Sequence, residues 1–146
     1  TGPTEDLLAD IAAVNPLDQA VSLLAGTVGE HDTRYHLIAV ETALGRVWLP
    51  GAQLSPGSRT IVRISARDVS LGPHHQNDST ILNQLPAEIV NAQPQGSGQL
   101  LVTLAPPGAR GEARLHALIS RKSWDVLALN EGQQIVARVK AASLLD

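Results

Sequence analysis

The chain of 146 residues has no cysteine, phenylalanine or methionine, and its aromatic residues are one tyrosine and two tryptophans. Without cysteine there is no disulfide framework and no thiolate metal site, as is common in reducing compartments. The scarcity of aromatic rings removes the stacking platforms on which many β-barrels bind single-stranded nucleic acid. A core must therefore consist of valine, isoleucine, leucine and alanine, and a hydrophobic content of 43% is sufficient for one.

Charge of either sign and long apolar runs are also scarce. The net charge is -3 and only 17% of the residues are charged, so the chain lacks the basic surface that nucleic acids attract. No apolar run approaches the roughly 18 residues of a membrane span, and no cationic segment followed by an apolar run indicates a signal peptide. The first residue is Thr1 rather than methionine, which favours a fragment of a longer protein.

Motifs that support catalysis are missing. The sequence has neither a Gly-x-x-x-x-Gly-Lys-Ser/Thr nucleotide loop nor a Gly-x-Ser-x-Gly nucleophile turn. His74 and His75 are adjacent, so their side chains diverge in an extended segment and suit a solvated linker. His31 and Asp32 fall at a predicted turn, where polar residues are expected. We therefore predict that this chain is not itself an enzyme.

The most informative feature of the sequence is an internal repeat. Residues 54–69 return as residues 129–144 without a gap, and leucine, glycine, arginine and alanine recur at matching places. Such self-similarity predicts one β unit used twice, packed as two dependent halves. Shorter upstream matches pair 24–29 with 85–90, 36–40 with 99–103, and 45–48 with 113–116.

The secondary-structure pattern is mostly β. Thr4 is followed by acidic residues and then by apolar residues at helical spacing, which predicts an N-terminal helix that Pro16 ends. A second short helix is predicted from Ser120 to about Gly132, with Trp124 as its core anchor. Eight short β-branched segments between turn residues predict strands at 21–27, 35–41, 45–49, 60–65, 85–91, 99–104, 113–119 and 135–140.

These elements predict an all-β fold with short helices, in which two tandem small β-barrels follow an N-terminal helix. The predicted units are 1–20 for the helix and a linker, 21–72 for the first barrel, 73–78 for a second linker, and 79–146 for the second barrel; the family resemblance described next implies OB-like barrels and a preceding ATPase domain. The linker assignment depends on the polar, turn-rich composition of the bridge between the halves.

Two motifs carry a family resemblance. Residues 79–91 resemble the Ser-Ala-Arg-Asn-x-x-x-Gly-x-Val signature of molbindin-type oxyanion-binding domains, and residues 139–143 resemble the Lys-Ala-Ser-Asp end of their last strand. Two such units, preceded by residues 2–8, are similar to the C-terminal, TOBE-like part of the ATP-binding subunit of a molybdate ABC importer. The chain departs from the signature at Leu82, which stands in the place of the arginine.

The resemblance implies an oxyanion site. Thr80 takes the place of the signature serine, and a tetrahedral dianion requires such hydroxyl and N–H donors, free of nearby carboxylates. In the first half, Ser65 stands where the second half has a lysine, so the two halves are not expected to bind equally. The candidate ligands are Ser79, Thr80, Asn83, Lys140, Ala141, Ala142 and Ser143.

The resemblance also implies a role. We expect a cytoplasmic regulatory domain at the inner membrane that binds molybdate or tungstate, has no covalent cofactor or metal, and controls transport. The implied partners are a second copy of the domain, its own ATPase domain and membrane permease subunits, with no nucleic acid. The alternatives are a dimerisation module without a small ligand, and a free-standing molybdate-binding protein.

Overall fold

The chain folds into two five-stranded antiparallel sheets. A computed structural model describes residues 20–51 and 54–145, and the predicted N-terminal helix lies outside them. The strands are β1 (Val21–Asp32), β2 (Leu37–Thr42), β3 (Gly45–Pro50), β4 (Arg59–Ser65), β5 (Val69–Gly72), β6 (Asn83–Gln95), β7 (Gln99–Ala105), β8 (Leu115–Ser120), β9 (Gln134–Val139) and β10 (Ser143–Leu144). One helix, α1 (Arg121–Val126), and 3-10 turns at Ala66–Asp68 and Pro107–Ala109 complete the described structure.

The eight predicted strands are all present, and the structure adds the short strands β5 and β10. Alternation of aliphatic and polar residues explains the strands, as in β4, where Val62 and Ile64 are buried and Arg63 is exposed. The predicted helix is shorter than expected. It ends at Val126 because Ala128 adopts a left-handed conformation with a φ of 52°. Trp124 is half-buried against the core rather than fully enclosed.

The two repeats exchange their last strands. The first sheet has the order β10-β4-β1-β2-β3, and the second has the order β5-β9-β6-β7-β8. Strand β5 thus leaves the first repeat to pair with β9, and β10 leaves the second repeat to pair with β4. Each sheet is therefore completed by the other half of the chain, which confirms the prediction of two dependent, barrel-like β units.

The repeated Leu-x-x-Gly motif forms the same turn in both halves. Gly57 has a φ of 91° and donates its N–H to the carbonyl of Val28 at 2.7 Å. Gly132 has a φ of 84° and donates to the carbonyl of Ile89, also at 2.7 Å. Both acceptors lie beside an irregularity in the long first strand of their repeat. The glycine is needed because a side chain disfavours this left-handed backbone.

One sequence-based match between the halves is wrong by one residue. The sequence comparison pairs Val40 with Thr103, but the ladders place Val40 opposite Val47 and Leu104 opposite Leu115. Val40 therefore corresponds to Leu104, and both side chains are buried. A shift of one residue would have moved the apolar side chains of this strand to the polar face.

The interior is aliphatic and continuous between the repeats. Buried valine, leucine, isoleucine and alanine side chains from both sheets form a single cluster. Only Ser22 and Asn83 are polar among the fully buried residues that the structure describes. Among residues 20–51 and 54–145, no helix has the length and apolar character required to cross a bilayer.

The segment predicted as a linker is fastened to the second sheet. The amide of Gln84 mimics a backbone partner for Gln76, accepting from its N–H and donating to its carbonyl, both at 2.7 Å. Arg138 donates a hydrogen bond to the carbonyl of His74 at 3.0 Å. The bridge between the repeats is exposed, but it follows a path fixed by side chains of β6 and β9.

Packing at Gly26 yields a stability prediction. A Cβ at this position would lie 2.5 Å from a methyl group of Val40 and 2.8 Å from the carbonyl oxygen of Glu41. We expect Gly26→Ala to lower the free energy of unfolding by about 1–3 kcal/mol, measured in urea, because backbone cannot yield to it easily. Gly98→Ala is the control, since nothing lies within 4 Å of its added carbon. Equal effects of the two changes would contradict the packing argument.

Candidate functional site

Most of the predicted ligands lie where three strands of the second sheet end together. Val139 at the end of β9 is paired with Asn83 at the start of β6 and with Val69 at the start of β5. Three connecting segments meet the sheet at this edge: the entry turn (residues 79–82), the second crossing (residues 140–142) and residues 66–68, which lead into β5. The topology thus brings together the entry turn and the second crossing, which are about 60 positions apart in the sequence.

The entry turn is held in place by hydrogen bonds to Ile81. The hydroxyl oxygen of Ser79 accepts from the N–H of Ile81 at 3.0 Å, and the amide of Gln84 donates to the carbonyl of Ile81 at 3.0 Å. The Ser79 hydroxyl keeps its own proton for another acceptor. Thr80 and Leu82 are exposed, Leu82 at 63%, so the entry turn presents one hydroxyl and one apolar side chain to solvent.

The second crossing offers unpaired backbone donors. The N–H of Lys140 donates to the carbonyl of Asp68 at 2.7 Å, and Ser143 begins β10 opposite Arg63. Between them, the N–H groups of Ala141 and Ala142 have no hydrogen-bond partner among the described residues. Lys140 and Ser143 are exposed. Four consecutive residues therefore combine an ammonium group, two amide donors and a hydroxyl.

The corresponding first crossing (residues 66–68) has backbone N–H groups that are already hydrogen-bonded. Ala66 donates its N–H to the carbonyl of Ala20 at 3.0 Å, and Arg67 donates to the hydroxyl oxygen of Ser65 at 3.4 Å. The 3-10 turn then bonds the N–H of Val69 to the carbonyl of Ala66. The N–H groups of Ala66, Arg67 and Val69 thus all have acceptors, in contrast to those of Ala141 and Ala142.

A register difference accompanies this contrast. In β5, Val69 lies opposite Val139, and the repeat would place the equivalent Leu144 opposite Ile64. Instead Leu144 lies opposite Val62, two residues nearer the start of β4. The second crossing is consequently drawn out, without the 3-10 turn of the first.

Asn83 joins the two repeats. Its side-chain oxygen accepts from the N–H of Trp48 at 2.7 Å, and its side-chain N–H donates to the Trp48 carbonyl at 2.8 Å. The amide thereby completes the edge of β3 as a neighbouring strand would. Asn83 is only 7% exposed. Its role as an anion ligand stays a prediction. In the structure its carboxamide is hydrogen-bonded to the backbone of Trp48.

Ser22 makes the equivalent contact at the other junction, and sequence reasoning missed it. Ser22 is 2% exposed and accepts from the N–H of His116 at 2.8 Å. The upstream repeat match aligns Ser22 with Asn83 and Trp48 with His116, so the alignment itself held the signal. A small polar residue at a core-facing strand position is unusual and demands a hydrogen-bond partner.

The part of the chain that the structure describes contains no group of three or more histidine, cysteine, aspartate or glutamate side chains positioned to hold a metal. His74 and His75 are both exposed on the fastened bridge. Exposed hydroxyl and ammonium groups, together with unpaired amides, match an anion better than a metal cation.

Comparison with known proteins found a family model, relatives and a solved structure similar to this chain. Residues 79–145 match the family model of the TOBE domain. The chain is 41% identical over 146 residues to the molybdenum import ATP-binding protein ModC of Rhodobacter capsulatus, covering 98% of this chain and 40% of that protein. It is 36% identical over 145 residues to ModC of Rhodopseudomonas palustris strain HaA2, covering 98% and 38%.

The chain thus spans about two fifths of the length of these relatives. A solved structure of the cytoplasmic molybdate-binding protein ModG, in a form with molybdate bound, has a TM-score of 0.67 and 18% identity. The match covers 85% of this chain and 93% of that one. The likeness confirms the fold of paired OB-like barrels.

The junction at His116 predicts a dependence of stability on pH. The His116 side chain lies 3.3 Å from the hydroxyl of Thr103, and burial lowers the pKa of His116 below its ordinary value of 6.5. Folding therefore favours the neutral ring, and stability that is present above the ordinary pKa is lost as the pH falls below it.

We expect the melting temperature of the chain to fall on acidification from about pH 7 to about pH 5, and the fall to be smaller in His116→Gln, which cannot titrate. His75→Gln, on the exposed bridge, is the control and should behave as the unaltered chain. A fall of equal size in the His116 variant would show that other groups cause it.

Proposed function

We propose that this chain is the regulatory part of the ATP-binding subunit of a molybdate or tungstate importer, and that its second crossing binds the oxyanion. The observation that carries the proposal is that the amides of Ala141 and Ala142 have no hydrogen-bond partner among the described residues, and that the exposed residues Lys140 and Ser143 flank them in the sequence. The similarity to molybdenum import proteins supports the identity of the ligand.

The chemistry of the crossing suits a tetrahedral dianion. Backbone N–H groups and hydroxyls donate hydrogen bonds without bringing negative charge, and the ammonium of Lys140 adds a positive one. The entry turn contributes the hydroxyls of Ser79 and Thr80 from the same edge of the sheet. Leu82 brings no positive charge to this edge, so Lys140 is the cation on which binding depends.

The first repeat does not provide a second site of this kind. At its crossing, the N–H groups of Ala66, Arg67 and Val69 already donate to the Ala20 carbonyl, the Ser65 hydroxyl and the Ala66 carbonyl. Ser65 also replaces the lysine. A single anion site per chain follows, and two copies of the chain would carry two. The second crossing links both sheets, so a bound anion contacts a segment on which the packing of the repeats depends.

Regulation requires that the anion favour one arrangement of the transporter over another. In the proposed role, cytoplasmic oxyanion bound here stabilises the arrangement of two subunits that transports slowly, so import is restrained once the anion has accumulated. The partners in this role are a second copy of the domain, the ATPase domain of the same subunit and the membrane permease. The chain itself performs no chemistry.

Lys140→Ala tests the proposal. We expect it to weaken molybdate binding by about tenfold or more in calorimetry, because a charge-assisted hydrogen bond contributes roughly 1.5–3 kcal/mol. Lys122→Ala is a matched control, since Lys122 is exposed on α1 and is the only other lysine of the chain. Tungstate should bind like molybdate. Titrations with sulfate and phosphate measure the selectivity of the site.

Heat of binding that Lys140→Ala leaves unchanged would place the anion elsewhere. No heat with any of the four anions would favour the alternative function, a dimerisation module without a small ligand. That alternative has support of its own in the exposed apolar side chains of Val126 and Leu127, which are 70% and 42% exposed at the end of α1.

A further inference from the structure

An arginine of the first repeat lies beside the proposed anion site. In the pairing of β4 with β10, Arg63 is directly opposite Ser143, one of the candidate ligands. Residues that face each other across an antiparallel pair extend their side chains on the same side of the sheet, with Cβ atoms about 4.5–5.5 Å apart. Both residues are exposed. An anion held at the hydroxyl of Ser143 is therefore within reach of the long Arg63 side chain.

The shifted pairing of β10 produces this arrangement. If β10 paired with β4 as β5 pairs with β9, Leu144 would face Ile64 and Ser143 would face Ser65. The shift of β10 along β4 places Ser143 opposite Arg63 instead. The displacement that draws out the second crossing thus also brings it to a positively charged side chain.

The equivalent arginine of the second repeat is already engaged. Arg138 takes the place of Arg63 in the repeated segment. Its Nη2 donates to the carbonyl of His74 at 3.0 Å, and its guanidinium packs against Gly72, where a Cβ would lie 2.5 Å from Nη2. The guanidinium of Arg63, in contrast, forms no hydrogen bond or ion pair with residues 20–51 and 54–145. Its N–H donors are therefore available to a ligand.

A dianion favours a second cation. The ammonium of Lys140 balances only one of the two negative charges of molybdate or tungstate, and Leu82 brings no positive charge. A guanidinium can donate two parallel hydrogen bonds to neighbouring oxygens of an oxyanion, whereas an ammonium acts as a point charge. Hydrogen bonds between ionised groups are also stronger than those from neutral hydroxyls and amides. Arg63 is thus suited to balance the second charge.

We propose that Arg63 of the first repeat is a second cation of the oxyanion site and binds the same anion as Lys140. The proposal rests on the anion site proposed above. The first repeat then has no site of its own but contributes a ligand to the site of the second. An anion bound in this way joins Arg63 on β4 to Ser143 at the start of β10, a strand of only 2 residues. Binding therefore fastens the strand that the second repeat contributes to the first sheet.

Arg59 provides a matched control on the same strand. It is exposed like Arg63, and its side chain lies on the same face of β4 because an even number of positions separates them. Arg59 faces Thr27 in the pairing with β1, and the two-residue strand β10 does not extend to it. At about 3.3 Å per residue the two arginines are about 13 Å apart along β4, which exceeds the screening length of about 8 Å at physiological salt.

The test compares Arg63→Gln, Arg63→Lys and Arg59→Gln in the complete 146-residue chain, with molybdate affinity measured by calorimetry at physiological salt. We expect Arg63→Gln to bind about tenfold more weakly, because it loses a charge-assisted hydrogen bond. Arg63→Lys should recover part of the affinity, since it keeps the charge without the paired donors. Arg59→Gln should bind within about twofold of the unaltered chain.

Backbone hydrogen exchange supplies a second measurement on the same proteins. The N–H of Leu145 donates to the carbonyl of Ile61 at 2.9 Å, next to the pairing of β10 with β4. Molybdate should slow the exchange of this amide in the unaltered chain, because the bound anion fastens β10 to β4. The slowing should be smaller in Arg63→Gln at saturating molybdate and unchanged in Arg59→Gln.

Three outcomes would contradict the role of Arg63. Unchanged affinity in Arg63→Gln would remove it from the site. Equal losses in Arg63→Gln and Arg59→Gln would mean that the positive surface attracts the anion without a defined contact. A loss that Arg63→Lys fully shares, with a lower melting temperature in both variants, would indicate a disturbed β4. Absence of heat in the unaltered chain would instead overturn the proposed function, and the role of Arg63 with it.

Discussion

The exchange of final strands is the constraint on which the rest of the structure depends. Neither sheet is complete until the other half of the chain contributes β5 or β10, so backbone hydrogen bonds at two sheet edges are satisfied only in the joined molecule. The continuous aliphatic cluster follows from this connection. The crossings that carry the exchanged strands differ in structure between the two halves, and the proposed site lies on one of them.

The two halves share their structural contacts but differ in the conformation of their crossings. The glycine turns at Gly57 and Gly132, the bonds to Val28 and Ile89, and the buried polar contacts have counterparts in both halves. The crossings do not, because β10 is displaced along β4 relative to its counterpart. A satisfied 3-10 turn in one copy and open donors in the other are two outcomes of nearly the same sequence. A small change in pairing thus determines which crossing leaves its amide donors without a partner among the described residues.

Much of the fold could be predicted because its signals are local. Eight strands and the repeated glycine turn follow from β-branched segments and punctuating residues. The strands β5 and β10 could not be predicted in the same way, since short edge strands are defined by a distant partner. The one-residue error at Val40 arose because an apolar run without clear alternation does not fix its own register.

The candidate site could be predicted only in part. Family motifs indicated Thr80 and Lys140, but whether the amides of Ala141 and Ala142 are hydrogen-bonded depends on tertiary pairing. The contact of Asn83 with Trp48 also joins residues that local pattern cannot connect.

Reciprocal donation of strands has a consequence for a single repeat expressed alone. Such a polypeptide would carry its final strand outside its own sheet and would leave a vacant place beside β4 or β9. Two molecules of it could satisfy one another by trading tails, and their folding would then depend on protein concentration. Covalent fusion of the two copies makes the strand exchange intramolecular. The native state is then formed at any protein concentration, including dilutions at which two separate halves would dissociate.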